Sequence, residues 1–177
     1  GHSKIGLLPE QVVELLDTQT FFELLDLPYP QGRSGVLDRL LGERLIDSSA
    51  SGFAVRRLGA LLLAKRLGDF PDLARKAPRI VVYSGSSKLE TRLDHVFTAG
   101  FAVGFQELVR FVMGQLPQNE VIKDALRREV KLIPEVVVRE LTANALIHQD
   151  FTMTGASVMI EIYDNRLEFS NPGEPIV

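Results

Sequence analysis

The chain has 177 residues, with 20 Lys and Arg against 23 Asp and Glu, so its formal net charge is −3. This length fits one domain or two small ones, and the slightly acidic balance excludes a strongly basic nucleic-acid-binding module while allowing a local basic patch. Cysteine is absent, which excludes disulfides, thiolate metal sites and cysteine nucleophiles. No apolar run approaches the ~20 residues that span a bilayer, so we expect a cytoplasmic protein without membrane partners.

The first third of the chain is predicted to be a small helical subdomain over residues 8–66. Residues 1–3 resemble the remnant of a cleaved tag, and residues 1–7 are interpreted as that remnant and a linker. Three helices are predicted in it. The first begins at Pro9, the second follows a cap at Thr18 or Thr20, and the third covers residues 36–45. Residues 47–52 form a polar turn, and residues 53–65 fit a strand followed by a helix. A winged-helix remnant is the alternative, but few basic residues occur where a recognition helix would need them.

The rest of the chain alternates strand and helix patterns. Residues 79–83 are a β-branched run typical of a strand, and residues 105–116 have helical spacing. Residues 121–133 are ambiguous and favour a strand at their end. A helix is predicted from Pro134 through His148, followed by strands over 156–163 and 166–170 joined at an Asp-Asn hairpin turn. We therefore predict an α/β (α+β) fold, a two-layer sandwich with a mixed sheet and helices on one face, preceded by the helical subdomain.

The predicted helix after Pro134 carries a polar stripe. Glu140, Asn144 and His148 are spaced at i, i+4 and i+8, so they share one face of a helix that is otherwise apolar. Such a helix is expected to be largely buried. A buried carboxylate and amide are costly without partners, so a hydrogen-bond network, a metal or a ligand should face them.

Residues 140–145 resemble the Glu-x-x-x-Asn-Ala box of the GHKL (Bergerat-fold) ATPase superfamily, which includes DNA gyrase, histidine kinases and mismatch-repair ATPases. The longer stretch from Arg139 to Gly173 is similar to a divergent branch described as transcriptional regulators or RecG-like helicase-related proteins. Its members carry an AlbA-type (Schlafen-like) DNA-binding domain ahead of the ATPase-like domain. The resemblance covers about residues 8–177, and it identifies residues 67–177 with a truncated GHKL ATPase-like domain.

The resemblance implies roles for individual residues. Glu140 matches the general base that polarises the attacking water, and Asn144 matches the ligand of a Mg²⁺ that bridges the phosphates of ATP. An amide and a carboxylate oxygen one turn apart are suitable groups for a hard cation. Asn171 and Gly173 match the corner that receives adenine. His148 is interpreted as a helix-end residue favoured by the helix dipole, with a ligand contact as the alternative.

The sequence also departs from the superfamily pattern. Asn171 replaces an Asp, which removes charge assistance from any adenine contact. The chain stops at Val177, before the second glycine motif and the phosphate-covering lid, and it looks like an excised fragment. We therefore expect a nucleotide-binding fragment of a DNA-binding transcriptional regulator without turnover of its own. Its partners would be nucleotide, DNA through an upstream domain, and a second copy in a homodimer.

Two other functions remain open alternatives. One is a non-enzymatic scaffold or dimerisation module that keeps the fold without nucleotide. The other is direct DNA binding through the N-terminal helices.

Two basic clusters are interpreted as solvated faces. His95 beside Asp94 lacks a second ligand at metal spacing, so no zinc site is predicted. Asp150 is interpreted as a turn or cap residue. The basic clusters are Arg75, Lys76 and Arg79, and Arg127, Arg128 and Lys131.

Overall fold

The computed structural model describes residues 1–123, 126–131, 133–149 and 157–171, and for residues 118–123 and 126–131 the backbone alone. The chain divides into two compact units. The first comprises Gly1–Ala77 with Thr98–Phe105, and the second comprises Pro78–Phe97 with Gln106–Val177.

The first unit combines four helices with a three-stranded antiparallel sheet. The sheet has the strand order β1-β3-β2, so the last strand lies in its centre. Residues 2–7, interpreted from the sequence as a tag remnant and linker, form its first strand. The elements are β1 (His2–Leu7), α1 (Pro9–Leu15), α2 (Thr18–Leu24), α3 (Arg33–Gly42), β2 (Ile46–Ser49), β3 (Gly52–Arg56) and α4 (Arg57–Leu63).

Local sequence signals explain most boundaries in this unit. Helix α1 begins at Pro9, where the missing N–H of proline costs no hydrogen bond. Helix α2 is capped by Asp17, whose carboxylate accepts the backbone N–H of Thr20 at 2.9 Å, so the prediction of a threonine cap was wrong. The polar turn predicted over residues 47–52 is shorter than expected, because Ser49 already pairs with Gly52 across a hairpin.

The core of the first unit is apolar and closely packed. Leu40, Ile46 and Phe70 are fully buried in it. Gly59 in α4 lies so near the Leu45 carbonyl that a Cβ atom there would approach its oxygen to 2.3 Å. The glycine thus lets the helix contact the backbone that precedes β2.

The second unit is built on a four-stranded sheet with the order β5-β4-β8-β9. Its central pair β4–β8 is parallel and the outer pairs are antiparallel, so the predicted mixed sheet is confirmed. A separate hairpin is formed by β6 and β7. The elements are β4 (Arg79–Tyr83), β5 (Thr91–Val96), α5 (Phe101–Gln115, with residues from 106 onward in this unit), β6 (Gln118–Lys123), β7 (Leu126–Lys131), α6 (Glu135–Ile147), β8 (Met159–Ile162) and β9 (Leu167–Ser170).

The two faces of this mixed sheet have different chemistry. Strand alternation places Ile80, Val82, Ile160 and Ile162 on one face, and all four are buried. His95 lies on the same face, where its ring stacks on Phe111 of α5 at 5.3 Å. The other face, here called the polar face, carries the charged side chains of Asp94 and Glu161 beside Val81 and Met159.

The mixed α/β fold class predicted from the sequence is confirmed. Within the described ranges, no helix is both long and apolar enough to cross a membrane.

Candidate functional site

Helix α6 begins after Pro134 and ends at His148, whose backbone N–H donates to the Asn144 carbonyl at 2.9 Å. These limits agree with the predicted helix. One side of it is buried and contacts β9, and this side includes Val138 and Leu146.

The prediction that α6 is largely buried was wrong. Val136 and Ile147 are 68% and 65% exposed to solvent, although both side chains are aliphatic. Apolar residues occur all round this helix, and periodicity cannot tell which of them face the sheet. Only the tertiary structure shows that the helix has one packed side and one open side.

The predicted polar stripe lies on the open side. Glu140 and His148 are exposed and Asn144 is half-buried, so the carboxylate and the amide are accessible to a ligand. Within the ranges that the structure describes, neither Glu140 nor Asn144 has a side-chain hydrogen bond or an ion pair. The carboxylate and the amide oxygen therefore have no competing partner among the described residues.

Of the two residues predicted at the adenine corner, only Asn171 lies in the described part of the chain. Asn171 is half-buried and directly follows β9, the strand that α6 contacts. Gly173 and Asp150 lie outside the described residues. Among those residues, no group of three or more His, Asp or Glu side chains is arranged to hold a metal ion. Asn144 would therefore need oxygen atoms from the phosphates and from water to complete the coordination of Mg²⁺.

Two buried acceptors on the packed side of α6 were not identified from the sequence. The hydroxyl of Thr142 and the Oε1 atom of Gln149 are buried and lack a hydrogen-bond partner in the described part of the chain. The amide nitrogen of Gln149 is used, since it donates to the Leu146 carbonyl at 3.0 Å. Buried polar atoms are usually satisfied, so these two are exceptions that carry an uncompensated desolvation cost among the described residues.

A buried carboxylate at the polar face of the sheet was not predicted from the sequence. Glu161 in β8 is only 4% exposed, and its Oε2 atom accepts the Tyr83 hydroxyl at 2.8 Å. The Tyr163 hydroxyl donates to the same oxygen at 3.4 Å, and Lys88 Nζ lies 3.1 Å from it. The only sequence signal for this carboxylate is its position between Ile160 and Ile162 in a strand with alternating residues. That alternation predicts an exposed carboxylate, so it could not reveal the burial of Glu161.

The buried setting around Glu161 changes the pKa of three neighbouring side chains, Tyr83, Tyr163 and Lys88. Burial, followed by the hydrogen bond to Glu161, raises the pKa of Tyr83. Burial and the nearby Glu161 charge raise the pKa of Tyr163. The hydrogen bond to Glu161 raises the pKa of Lys88, which keeps its ammonium charged beside the carboxylate.

The same cluster fastens the loop of residues 84–90 over the polar face. Arg166 donates to the Ser86 carbonyl at 2.6 Å, and its guanidinium lies 3.6 Å from the centre of the Tyr163 ring. The backbone N–H of Asp164 donates to the Gly85 carbonyl at 3.0 Å. Gly85 adopts a φ of 82°, a conformation that favours glycine.

Helix α3, one of the N-terminal helices considered for direct DNA binding, holds both of its arginines in ion pairs. Arg33 pairs with Glu10 at 3.5 Å, and Arg39 pairs with Glu43 at 3.2 Å. The predicted solvated cluster is only partly correct, because Arg75 and Arg79 are exposed but Lys76 is 2% exposed. The side chains of Arg127, Arg128 and Lys131 lie outside the described residues.

Comparisons with known proteins support the fold alone. No protein-family model and no curated protein matches the chain. The crystal structure of the DIP2311 protein from Corynebacterium diphtheriae is similar, with a TM-score of 0.57 and 22% sequence identity. The alignment covers 78% of this chain and 26% of that protein, so the chain spans about a quarter of its length. At this level of identity, the similarity shows that the two proteins share a fold.

Proposed function

We propose that this chain is the nucleotide-binding, ATPase-like part of a DNA-binding transcriptional regulator, without turnover of its own. The observation that supports the proposal is the placement of Glu140 and Asn144 on the open side of α6. A polar pair sealed inside the helix packing would have been only a structural feature. An accessible pair can meet a phosphate chain and its cation.

Each residue would have a distinct task in nucleotide binding. The Oδ1 atom of Asn144 would hold Mg²⁺, which neutralises charge on the phosphate oxygens. Glu140 would accept a hydrogen bond from the water that faces the terminal phosphate and orient it. Asn171, next to β9, would accept from the adenine amino group through its amide oxygen.

Calorimetric titration with ATP and Mg²⁺, and with a non-hydrolysable ATP analogue, tests this proposal. We expect saturable binding that weakens about tenfold or more in Asn144→Ala, since a cation ligand is lost. Glu135→Gln is the control, because Glu135 is an exposed acid in the first turn of the same helix, and it should leave nucleotide binding unchanged. No saturable heat at millimolar nucleotide would contradict the proposal.

Turnover is a separate measurement. We expect no measurable ATP hydrolysis by residues 1–177. Robust hydrolysis that disappears in Glu140→Ala would refute the absence of turnover, while supporting the assignment of Glu140.

A second candidate function is a dimerisation scaffold that has lost nucleotide binding. Val136, Val137 and Ile147 are exposed aliphatic residues on α6, and exposed apolar side chains that cluster can form an interface. Light scattering coupled to size exclusion would detect a dimer that dissociates in Val136→Ser with Ile147→Ser. A dimer in that assay together with no nucleotide binding would favour the scaffold.

Direct DNA binding through the N-terminal helices has less support. Both arginines of α3 are held in ion pairs, and few basic residues occur where a recognition helix would need them, so we expect no gel shift of duplex DNA by the whole chain at low salt. A salt-sensitive shift that is lost in Arg33→Gln with Arg39→Gln would establish this function instead.

A further inference from the structure

A cavity lies where the two parallel strands of the mixed sheet end. Ser84 and Gly85 follow β4, Tyr163 and Asp164 follow β8, and all four residues line the cavity. The C-terminal end of α5 provides another wall. The volume is about 530 Å³, within the range of about 300–1,000 Å³ typical of small-molecule sites. Ligands of open α/β sheets commonly bind outside the carboxyl ends of parallel strands.

A β-bulge brings a cation to this cavity. Val82 of β4 pairs with Leu93, and the next residue, Tyr83, pairs with Thr91. Arg92 is therefore the extra residue of β5, and it lines the cavity. Bulges redirect side chains and occur often beside binding sites. Arg92 is exposed and has no ion pair in the described part of the chain, so its guanidinium is available to a ligand.

One acidic side chain and the C-terminal end of α5 line the same cavity. The side chain of Asp164 is exposed and makes no ion pair within the described ranges. Gln115 is the last residue of α5, a helix of 15 residues, and the last carbonyls of a helix lack intrahelical partners. These carbonyls carry the negative end of the helix dipole. An ammonium group fits this part of the cavity.

The cavity also has an apolar surface. Val82, Leu116 and Ile162 are buried and line it. The wall formed by Ser84 and Gly85 is held in place by the hydrogen bond between Asp164 and Gly85 and by the Lys88–Glu161 ion pair. A cavity with walls held in this way binds a ligand with a smaller ordering cost.

We propose that this cavity binds a free α-amino acid with an apolar side chain. Arg92 pairs with the carboxylate, Asp164 and the α5 carbonyls receive the ammonium, and the side chain packs on the apolar wall. A simple anion or a simple cation would leave one charge of the cavity unmatched. The site shares no residue with the proposed nucleotide site. Asn171 follows the opposite end of the β8–β9 hairpin, because Met159 pairs with Ser170 and Ile162 with Leu167.

Titration of the whole chain with L-leucine, monitored by calorimetry and by the amide NMR signal of Gly85, tests the ligand class. Two analogues provide the comparison, 4-methylpentanoate without the ammonium and 3-methylbutylamine without the carboxylate. We expect L-leucine or L-phenylalanine to bind and shift the Gly85 signal, and both analogues to bind about tenfold more weakly or less. Equal binding of either analogue would overturn the assignment to an amino acid.

Variants test the two charged residues separately. Arg92→Gln and Asp164→Asn are each expected to weaken L-leucine binding about tenfold or more. Arg75→Gln is the matched control, since Arg75 is exposed and lies outside the cavity, and it should leave binding unchanged. Both test residues are exposed, so unchanged thermal unfolding would show that the fold persists. No binding of either amino acid at millimolar concentration, or binding unaffected by Arg92→Gln, would overturn the proposal.

Discussion

The two units of the chain differ in how they use polar groups. In the first unit, Asp47 forms a surface pair with Arg56, with nitrogen–oxygen distances of 2.7 and 3.0 Å. The buried Thr18 hydroxyl has a partner in the Tyr29 hydroxyl at 2.8 Å. The second unit buries Glu161 among tyrosines and leaves acceptors on Thr142 and Gln149 without partners in the described residues. Polar groups withdrawn from water without full compensation lower stability, so we expect function to reside in the second unit.

The largest expected effect comes from removing an aromatic ring from the apolar core of the first unit. Phe70 is fully buried, and Lys4 Nζ lies 5.7 Å from the centre of its ring. Phe70→Ala should lower the free energy of unfolding by about 3–5 kcal/mol through lost burial and a new cavity. Urea denaturation followed by circular dichroism measures the change. Leu89→Ala, at a side chain that is 95% exposed, is the control and should stay within about 0.5 kcal/mol of the parent.

Adjacent residues of α6 provide a sharper comparison within the second unit. Leu146 is 5% exposed and Ile147 is 65% exposed. Leu146→Ala should cost about 2–5 kcal/mol, whereas Ile147→Ala should cost less than about 0.5 kcal/mol. The same denaturation assay measures both. Similar losses for the two variants would mean that the open side of α6 is covered in solution.

Removal of the buried carboxylate should have an intermediate effect. Glu161→Gln weakens the charge-assisted hydrogen bonds to Tyr83 and Lys88, and we expect a loss of about 1–3 kcal/mol in unfolding free energy. Burial, the largest cause of the raised pKa of Tyr83, persists in this variant, but that pKa should still fall because the hydrogen bond to Glu161 and its negative charge are reduced. Ultraviolet titration of the tyrosines measures this shift. An unchanged tyrosine titration would contradict the role given to Glu161.

The smallest effect concerns the surface pair of the first unit. The hydrogen bonds from Arg56 and then His2 lower the pKa of Asp47 from 3.8 to about 2. A lowered pKa in the folded state means that the pair stabilises the fold above pH 3.8 and that this contribution is lost as the pH falls to about 2. The difference in melting temperature between the parent and Asp47→Asn should therefore shrink across that interval. A difference that is constant with pH would contradict this linkage.

The candidate site was predictable only in part. The resemblance selected Glu140 and Asn144, and helical spacing correctly placed them on one face. Spacing could not show that this face is open, because the aliphatic residues around α6 are equally compatible with complete burial. Arg92 was missed for a different reason, since a bulge depends on the register between two strands, and β5 itself is too polar and exposed to be recognised from its composition.

Local sequence signals account for several of the elements. Prolines at positions 9 and 134 set the starts of two helices, the β-branched run over residues 79–83 set a strand, and Asp164-Asn165 set the turn between β8 and β9. These signals act through backbone conformation within a few residues. The tertiary structure alone decided which strands pair, that Glu161 is buried and that α6 keeps one side open. Those features depend on contacts between residues far apart in the chain, and no local propensity encodes them.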